Sequence, residues 1–268
     1  MGSIDVERSP DGRTATVTLA RPDQRNALSI PMLQDLTAAL GDLAVQPGLR
    51  AVTLAGAGPD FCAGADVAEL SRIVANPGQA AIEFDRPFRE ALSAMAELPV
   101  PVVARVQGRA LGGGCQLILA CDLAVAEEDA RLGIPAAQLG IVIPYDSVER
   151  LVLAVGPRRA REMLYTGRVV TGTEGAAWGL VTAAAPAGRL DAAVDQVVGA
   201  IVEAAPLSVR ASKRGVAALL ERLTRARPGE PSASADFEMM AAQALASRDL
   251  AEGLAAFRER RAPEFRGE

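Results

Sequence analysis

Short strand patterns, turns of small residues and helical patterns follow one another along the first half of the chain, and this succession limits the possible folds more than any other feature. Residues 14–20 alternate polar and apolar side chains, as a half-buried strand does. Ser29 can then cap a helix with an apolar stripe, and residues 50–55 form a second strand pattern. A loop rich in glycine and alanine over residues 56–64 precedes a helix that begins near Asp66.

The same succession continues into a second half that is mainly helical. A helix is predicted over residues 79–98, with Pro87 expected to kink it, and a strand follows that ends near residue 106. The remaining predicted elements are a turn at 108–114, a helix to about 120, strands at 123–126 and 131–133, and helices at 146–155, 157–166, 173–180, 190–205, 207–225 and 247–261. Residues 227–232 are the best candidate for a linker. Strands that alternate with helices predict an α/β fold.

Composition argues against several classes of protein. Half of the residues are apolar but only 3% are aromatic, so the core must consist mainly of alanine, valine and leucine. The formal charge is −5 without a long basic block, which argues against nucleic acid as a partner. We find no apolar stretch long enough to span a membrane and no secretory signal. Because the three cysteines cannot all pair within the chain, we expect a cytoplasmic protein in which they are core residues.

The chain contains no histidine. Catalysis by a Ser-His-Asp or Cys-His arrangement is therefore excluded, and a zinc site would need cysteine or carboxylate ligands alone. The cysteines form no CxxC pair, so we expect neither a bound metal nor a separate cofactor.

Two glycine-rich turns are the strongest candidates for a functional site. One is residues 61–67, Phe-Cys-Ala-Gly-Ala-Asp-Val, and the other is residues 110–116, Ala-Leu-Gly-Gly-Gly-Cys-Gln, which leads directly into an apolar helix. The first N–H groups of a helix are unpaired and stabilise negative charge on a carbonyl oxygen, which glycine allows to approach closely. Either sequence alone is also compatible with a plain tight turn. Neither matches the GxGxxG pattern or a Walker A sequence, so nucleotide binding loses its main support.

Taken together, these segments resemble the enoyl-CoA hydratase/isomerase (crotonase) superfamily. The resemblance rests on Arg21-Pro22 with Asn26-Ala27-Leu28, on the two turns, on Cys121-Asp122-Leu123, and on later segments at 139–140, 150–156, 164–167 and 178–181, so it covers nearly the whole chain. It implies a crotonase-like spiral of ββα units, over residues 1–200, that binds an acyl-CoA thioester. It also implies a helical C-terminal trimerisation region, residues 201–268, and hence a homotrimer or a dimer of trimers.

The resemblance further implies where the site lies. The backbone N–H groups of Ala63 and Gly113 would polarise the thioester carbonyl in an oxyanion hole and so stabilise an enolate. The substrate, which carries coenzyme A as part of itself, would be lined by Asn26, Ala27, Leu28, Ala63, Gly64, Ala65, Asp66, Val67, Gly112, Gly113 and Tyr145. The CoA phosphates would meet basic side chains near the C-terminus, where Arg258, Arg260 and Arg261 are candidates, although these also fit a solvated helix face.

The sequence departs from the family pattern at both catalytic positions. Hydratases of this family use two glutamates, one to activate water and one to manage the proton at the α-carbon. The first belongs two residues after the three glycines, where this chain has Gln116, and the second follows the proline of a Gly-x-Pro segment, where it has Ala136. An amide and a methyl group have no titratable proton near neutral pH. Pro144 nearby also cannot donate a backbone hydrogen bond to a water.

Other carboxylates are candidates for the missing acid/base groups. Asp146, with Tyr145 beside it, lies in the loop that faces the acyl group in relatives, but it also fits the N-cap of the following helix. Glu149 is expected to face solvent one turn into that helix, and Glu69 and Glu83 belong to a region that lines the acyl pocket in relatives. The sequence does not choose among them.

Three hypotheses about function follow. The first is an enzyme that acts on acyl-CoA through the oxyanion hole with unusual acid/base groups, and the second is a non-catalytic acyl-CoA-binding protein on the same scaffold. The third, a structural or interaction protein without a ligand, is disfavoured because both glycine-rich turns are intact. Apolar side chains in the last two helices (Phe237, Met240, Leu245, Leu250 and Leu254) would be exposed unless they packed against the body or a neighbouring copy.

Overall fold

The computed structural model describes residues 3–224 and 233–267 and shows an α/β architecture. The strands are β1 (Ile4–Arg8), β2 (Thr14–Leu19), β3 (Ala51–Gly56), β4 (Val102–Val106), β5 (Arg109–Leu111), β6 (Leu123–Glu127), β7 (Arg131–Gly133), β8 (Val169–Thr171) and β9 (Ala183–Ala185). The helices are α1 (Ile30–Ala44), α2 (Val67–Ala75), α3 (Pro77–Glu97), α4 (Gly113–Ala120), α5 (Tyr145–Thr166), α6 (Gly172–Trp178), α7 (Leu190–Glu203), α8 (Pro206–Thr224), α9 (Ala233–Leu245) and α10 (Arg248–Glu259). Short 3₁₀ helices lie at Pro22–Gln24 and Ala136–Leu139.

Two sheets organise the molecule. The larger has the order β1-β2-β3-β4-β6-β9 and is parallel except for the β1–β2 pair, whereas the smaller has the order β5-β7-β8. Consecutive strands such as β4 and β5, or β6 and β7, therefore go to different sheets before the chain continues into a helix. This arrangement confirms the predicted ββα units.

The core has the predicted composition. Along β2 the burial alternates residue by residue, and α1 and α3 pack against each other over the large sheet. The largest fully buried side chains of the described core are mostly leucines, joined by Met32, Met95 and one aromatic ring, that of Phe61. Ser29 caps α1, because its side chain accepts a hydrogen bond from the Met32 N–H. The helix thus begins where the sequence predicted.

The C-terminal helices differ in how they pack. Leu250 and Leu254 of α10 are buried against Ile73 of α2, so α10 covers the body of the same chain. In contrast, Met240 of α9 is largely exposed, and α8 exposes an apolar side chain at Val216. By length and hydropathy no single helix of the described part of the chain could cross a membrane, and only α7 and α8 pass that test as a pair, bent by 108° at their junction.

Several elements differ from the sequence prediction. The expected turn at 108–114 contains β5, a strand too short and too rich in flanking glycine to be recognised, and β1, β8 and β9 were also not predicted. Pro87 lies inside α3 without ending it, and the two helices expected at 146–166 form α5, with a break at Gly156. The linker proposed at 227–232 lies outside the described residues.

Candidate active site

A cavity of about 650 Å³ opens where the two glycine-rich turns meet α2, α3 and the C-terminal helices. Its apolar wall is made by Leu70, Ile73, Phe84, Phe88, Leu111, Leu139, Ile141, Val142, Ile143, Leu245 and Phe257. The rings of Phe84 and Phe88 stack with their centres 5.9 Å apart. The cavity therefore offers a largely apolar chamber whose one side is backbone from the two turns.

Glycine allows the two turns to touch. A Cβ atom on Gly114 would lie only 2.3 Å from the Cys62 carbonyl oxygen, and one on Gly64 would lie 2.9 Å from the Leu111 oxygen and 3.6 Å from the Gly113 nitrogen. Side chains cannot occupy these positions, so only glycine permits the contact. The backbone of residues 64–65 is thereby placed beside the first N–H of α4.

The N–H groups of Ala65 and Gly113 are both available at this junction. Leu28 pairs with Ala65 in a parallel bridge: the Leu28 N–H donates to the Gly64 oxygen at 2.8 Å, and the Leu28 oxygen accepts from the Asp66 N–H at 2.8 Å. The N–H of Ala65, which lies between Gly64 and Asp66, therefore points away from Leu28. Within the described residues, neither the Ala65 N–H nor the Gly113 N–H has a backbone acceptor. Both residues line the cavity.

The structure corrects the sequence prediction for Ala63. Its N–H donates to the Arg25 carbonyl oxygen at 3.0 Å and is therefore not free to bind a ligand oxygen. Ala65 presents the free group instead, because Leu28 bonds to the residues on either side of it, Gly64 and Asp66, and the Ala65 N–H points away from Leu28. The glycine-rich motif indicated the right turn, but only the pairing with Leu28 shows which amide is exposed.

The predicted CoA segment divides into residues that line the cavity and residues that support it. Ala27, Gly64, Val67 and Gly112 belong to the lining. Asn26 is buried instead, where its side chain holds the loop by donating to the oxygens of Ala57 and Asp60 and accepting from the Arg21 N–H. Leu28 is also buried, and its side chain packs beside Gly113.

Asp66 is a second supporting residue. Its carboxylate accepts from the Ala68 N–H at the start of α2 and pairs with the Arg21 guanidinium at 2.8 Å. This pair joins the segment that holds Asn26 to the first glycine-rich turn, so Asp66 helps to fix the position of Ala65. Asp66 is not itself part of the cavity lining.

The two positions at which the family resemblance predicts a glutamate both line the cavity. Gln116 lies one turn into α4 and is only 5% exposed, and Ala136 begins the Ala136–Leu139 3₁₀ helix. The carbonyl oxygen of the Gln116 amide is buried and has no hydrogen-bond partner in the described part of the chain. Neither side chain can exchange a proton near neutral pH.

Asp146 and Tyr145 are not among the residues that line the cavity, contrary to the sequence prediction. Pro144 occupies both the cavity wall and the N-cap of α5, so Asp146 follows in the first turn without a capping hydrogen bond. Its carboxylate accepts from Arg89 at 3.2 Å. Tyr145 packs edge-on against Phe237 of α9, with ring centres 5.4 Å apart.

Of the carboxylates in the described residues, Asp85 and Asp23 line the cavity. Asp85 follows Phe84 directly in the sequence of α3, and its carboxylate accepts from the Arg89 Nε at 2.6 Å. The other sequence candidates, Glu69 and Glu83, are held by Arg72 at 3.0 and 2.7 Å, outside the lining. A signal for Asp85 exists in the sequence, because it lies three residues before Phe88 and thus on the same helix face.

Glu149 also differs from expectation, because it is half-buried rather than solvated. Burial, and then the neighbouring carboxylate of Asp146, raise the pKa of the Glu149 carboxyl above its usual range. It does not line the cavity, so this shift concerns the packing of α5.

The predicted phosphate-binding arginines are engaged elsewhere or lie apart from the lining. Arg258 donates to the Ser71 hydroxyl, and Arg261 pairs with Glu252. Among the residues that the structure describes, the cations that line the cavity are Arg25 and Arg109. The Arg25 side chain is 61% exposed, and its nearest carboxylate partner, Asp60, is 3.9 Å away. Arg25 is therefore a better candidate than Arg258 or Arg261 to bind an anionic group at the mouth of the cavity.

Comparison with known proteins identifies the family. The family model for enoyl-CoA hydratase/isomerase matches residues 11–268. A candidate enoyl-CoA hydratase of Thermus thermophilus is 39% identical over 272 residues, which cover 98% of this chain and 100% of the relative.

Solved structures show the same likeness. An enoyl-CoA hydratase/carnithine racemase from Magnetospirillum magneticum superimposes with a TM-score of 0.78 at 34% identity, covering 100% of this chain and 97% of that one. An enoyl-CoA hydratase from Mycobacterium avium subsp. paratuberculosis gives a TM-score of 0.81 at 30% identity, with 99% of both chains covered. With its ββα units, its two touching glycine-rich turns and these matches over its whole length, the chain belongs to the enoyl-CoA hydratase/isomerase family.

Proposed function

We propose that the protein binds acyl-CoA thioesters and holds the thioester oxygen between the N–H groups of Ala65 and Gly113. The observation that carries this proposal is that two backbone N–H groups from two touching turns, both in the wall of an apolar cavity, have no backbone acceptor among the described residues. Donors that are fixed before the substrate arrives stabilise charge that develops on a carbonyl oxygen without having to reorganise. Family membership supplies the thioester as the ligand class.

The rest of the cavity suits the two ends of such a ligand. The acyl group enters the apolar chamber beside Phe84 and Phe88, and the pantetheine arm runs past Ala27 and Val67 toward the mouth. There the exposed guanidinium of Arg25 meets a CoA phosphate, because a cation without a close partner can pair with one at small desolvation cost. Burial of each additional acyl CH₂ adds about 0.8 kcal/mol to binding.

The reaction favoured by this arrangement is proton transfer at the carbon next to the thioester. The two N–H groups stabilise the enolate that forms when the α C–H bond breaks, and a base must accept the proton. We propose Asp85 for that role in place of Asp146, because it lines the cavity and lies one helical turn from Phe88, whose ring adjoins Gly113. Arg89 fixes the position of its carboxylate.

A second candidate function is non-catalytic binding of acyl-CoA. The observation that favours it is the uncharged pair Gln116 and Ala136 at the positions where hydratases of this family carry glutamates. On this alternative the oxyanion hole serves recognition alone, and Asp85 contributes only to the structure of α3.

Two measurements separate these functions. Calorimetric titration with butyryl-CoA and with free butyrate tests the ligand class, and we expect saturable binding of the thioester and much weaker binding of the acid. Exchange of the α-protons of bound butyryl-CoA in D₂O, followed by mass spectrometry, tests enolate formation. We expect exchange in the unmodified protein and a roughly 10²- to 10⁴-fold slower rate in Asp85→Asn, with little change in affinity. Binding without exchange would establish the second function, and absence of binding at millimolar ligand would contradict both.

A further inference from the structure

The Gln116 amide is the feature of the cavity that thioester binding alone does not explain. Gln116 is only 5% exposed, its side chain lines the cavity, and its amide carbonyl oxygen has no hydrogen-bond partner in the described residues. A buried polar atom without a hydrogen bond is costly, and such atoms in folded proteins are usually satisfied by a ligand or an ordered water. The amide therefore requires a partner that enters the cavity.

The position of Gln116 on α4 determines which atom of the ligand it can reach. It follows Gly113 by three residues, so the two lie on neighbouring turns of the same helix face. Side chains of a helix lean toward its N-terminus, and for Gln116 this is the end where the Gly113 N–H is exposed. A thioester oxygen bound there fixes the carbonyl carbon, and the acyl chain continues from it past the Gln116 amide.

We infer that this pocket selects acyl-CoAs that carry an oxygen on the β-carbon, and that the Gln116 amide is the group that recognises this oxygen. The β-carbon is two bonds from the carbonyl carbon. An oxygen on the β-carbon therefore lies within reach of the Gln116 side chain, which is one helical turn from Gly113. The inference rests on the proposed binding of the thioester oxygen by Ala65 and Gly113.

The chemistry of the amide matches both forms of such a substituent. Its NH₂ can donate to a 3-oxo group, and its carbonyl oxygen can accept from a 3-hydroxyl group. Rotation of the amide by 180° exchanges the two, so the pocket can satisfy either ligand without moving the helix. An unsubstituted acyl chain offers neither donor nor acceptor and leaves the amide unsatisfied. A site with an unpaired buried polar group rejects an analogue that lacks the partner more strongly than an apolar site rejects an added methylene.

The test compares three ligands of equal chain length on three proteins. Acetoacetyl-CoA, 3-hydroxybutyryl-CoA and butyryl-CoA are titrated by calorimetry into the unmodified protein, into Gln116→Leu and into Gln46→Leu. Leucine removes the amide but keeps the approximate volume at position 116. Gln46 is a partly exposed residue after α1 that bonds Arg8 and does not line the cavity, so its variant is a matched amide-to-leucine control.

We expect at least one β-oxygenated ligand to bind roughly tenfold or more tightly than butyryl-CoA, a preference that Gln46→Leu keeps. Gln116→Leu should bring the ratio near one, mainly by weakening the oxygenated ligand. The identity of the preferred ligand then distinguishes a 3-oxo from a 3-hydroxyl substituent.

Two other results have different meanings. Equal affinity for all three ligands, or a preference that survives in Gln116→Leu, would overturn the inference. A water would then satisfy the amide, and the proposed function would remain intact. Failure of all three ligands to bind the unmodified protein would instead overturn the proposed binding of thioesters. If Gln116→Leu unfolds, Gln116→Met repeats the comparison with an unbranched side chain.

Discussion

At the scale of single residues, the site depends on glycines that permit contacts no other residue would allow. The Gly114 backbone lies against the Cys62 carbonyl, and this contact holds the second turn against the first. Replacement by alanine must push two backbone segments apart. The same displacement would separate the Gly113 N–H from the Ala65 N–H, so stability and ligand binding should be lost together.

We therefore expect Gly114→Ala to lower the free energy of unfolding by about 1–3 kcal/mol or more, because the added Cβ would lie 2.3 Å from a backbone oxygen. Urea denaturation followed by circular dichroism measures the change. Gly199→Ala in α7 is the matched control, since a Cβ at that position would meet nothing within 4 Å. It should stabilise the protein by about 0.5–1 kcal/mol, as expected for a helix interior. Equal stability of the two variants would contradict the tight contact.

A second prediction at this scale concerns the missing glutamates. Hydration of crotonyl-CoA should be very slow, because loss of one positioned acid or base typically costs about 10²- to 10⁴-fold and both are absent here. Since Gln116 and Ala136 both line the cavity, Gln116→Glu combined with Ala136→Glu should raise the hydration rate above either single variant. Absorbance of the conjugated thioester measures the rate. Rapid hydration by the unmodified protein, at tens per second, would show that another carboxylate does this work.

At the scale of elements, the sequence predicted the ends of the helices better than their orientation. Ser29 and Asp66 cap helices where expected, because capping is a local interaction between a side chain and the next few N–H groups. Asp146 was assigned correctly to the start of a helix, but whether it faces the cavity depends on how α5 packs against α3 and α9. The three-residue strand β5 was missed for a related reason, since its partner β7 lies about twenty residues further along the chain.

The difference between local and long-range interactions also explains which site residues the sequence predicted. The Gly112–Gly114 sequence predicted an exposed helix N-terminus, which is a local property, and the structure places it in the cavity wall. The choice between Ala63 and Ala65 depends on the pairing of residue 65 with Leu28, far away in the sequence. Asp85 in turn becomes a cavity residue only through the docking of α3 beside the turns.

The C-terminal segment after α10 provides a prediction about pH. Glu252 accepts hydrogen bonds from Arg261 and from the Glu264 N–H, and these lower the pKa of its carboxyl from 4.5 to about 2. A lowered pKa means that the folded state favours the ionised form, so this contribution to stability is present above pH 4.5 and is lost as the pH falls toward 2.

Glu252→Gln should therefore lower the melting temperature at pH 7, and the difference from the unmodified protein should shrink as the pH is reduced through this window. Thermal melts between pH 7 and the lowest pH at which the protein stays folded measure it. Glu97→Gln, at the exposed end of α3, serves as the control. A difference that stays constant over that range would show that the carboxylate charge of Glu252 does not stabilise the segment.

At the scale of the whole molecule, apolar surface remains on α8. Val216 and Leu219 lie three residues apart on one face of this helix and are 60% and 46% exposed, although Lys213 on the same helix is tied to the body through Asp122 at 2.7 Å. Contiguous exposed apolar side chains on an otherwise folded chain mark an interaction surface. We therefore propose that copies of the chain cover this face in a homotrimer or a dimer of trimers.

Light scattering at micromolar concentration tests the assembly, and a mass of three or six chains is the expected result. Val216→Glu should reduce it, because a charge would be buried in the interface, whereas Val45→Glu, at a site 78% exposed after α1, should leave it unchanged. A stable monomer of the unmodified protein would contradict the proposal.

The most direct test of acyl-CoA recognition is a crystal structure of the protein with bound acetoacetyl-CoA. We expect the thioester oxygen to lie about 2.7–3.2 Å from both the Ala65 and the Gly113 nitrogen, with the acyl chain beside Phe88 and the Ala63 N–H still bonded to Arg25. A thioester oxygen placed away from these two nitrogens, or bound by only one of them, would contradict the oxyanion hole on which the proposed function rests.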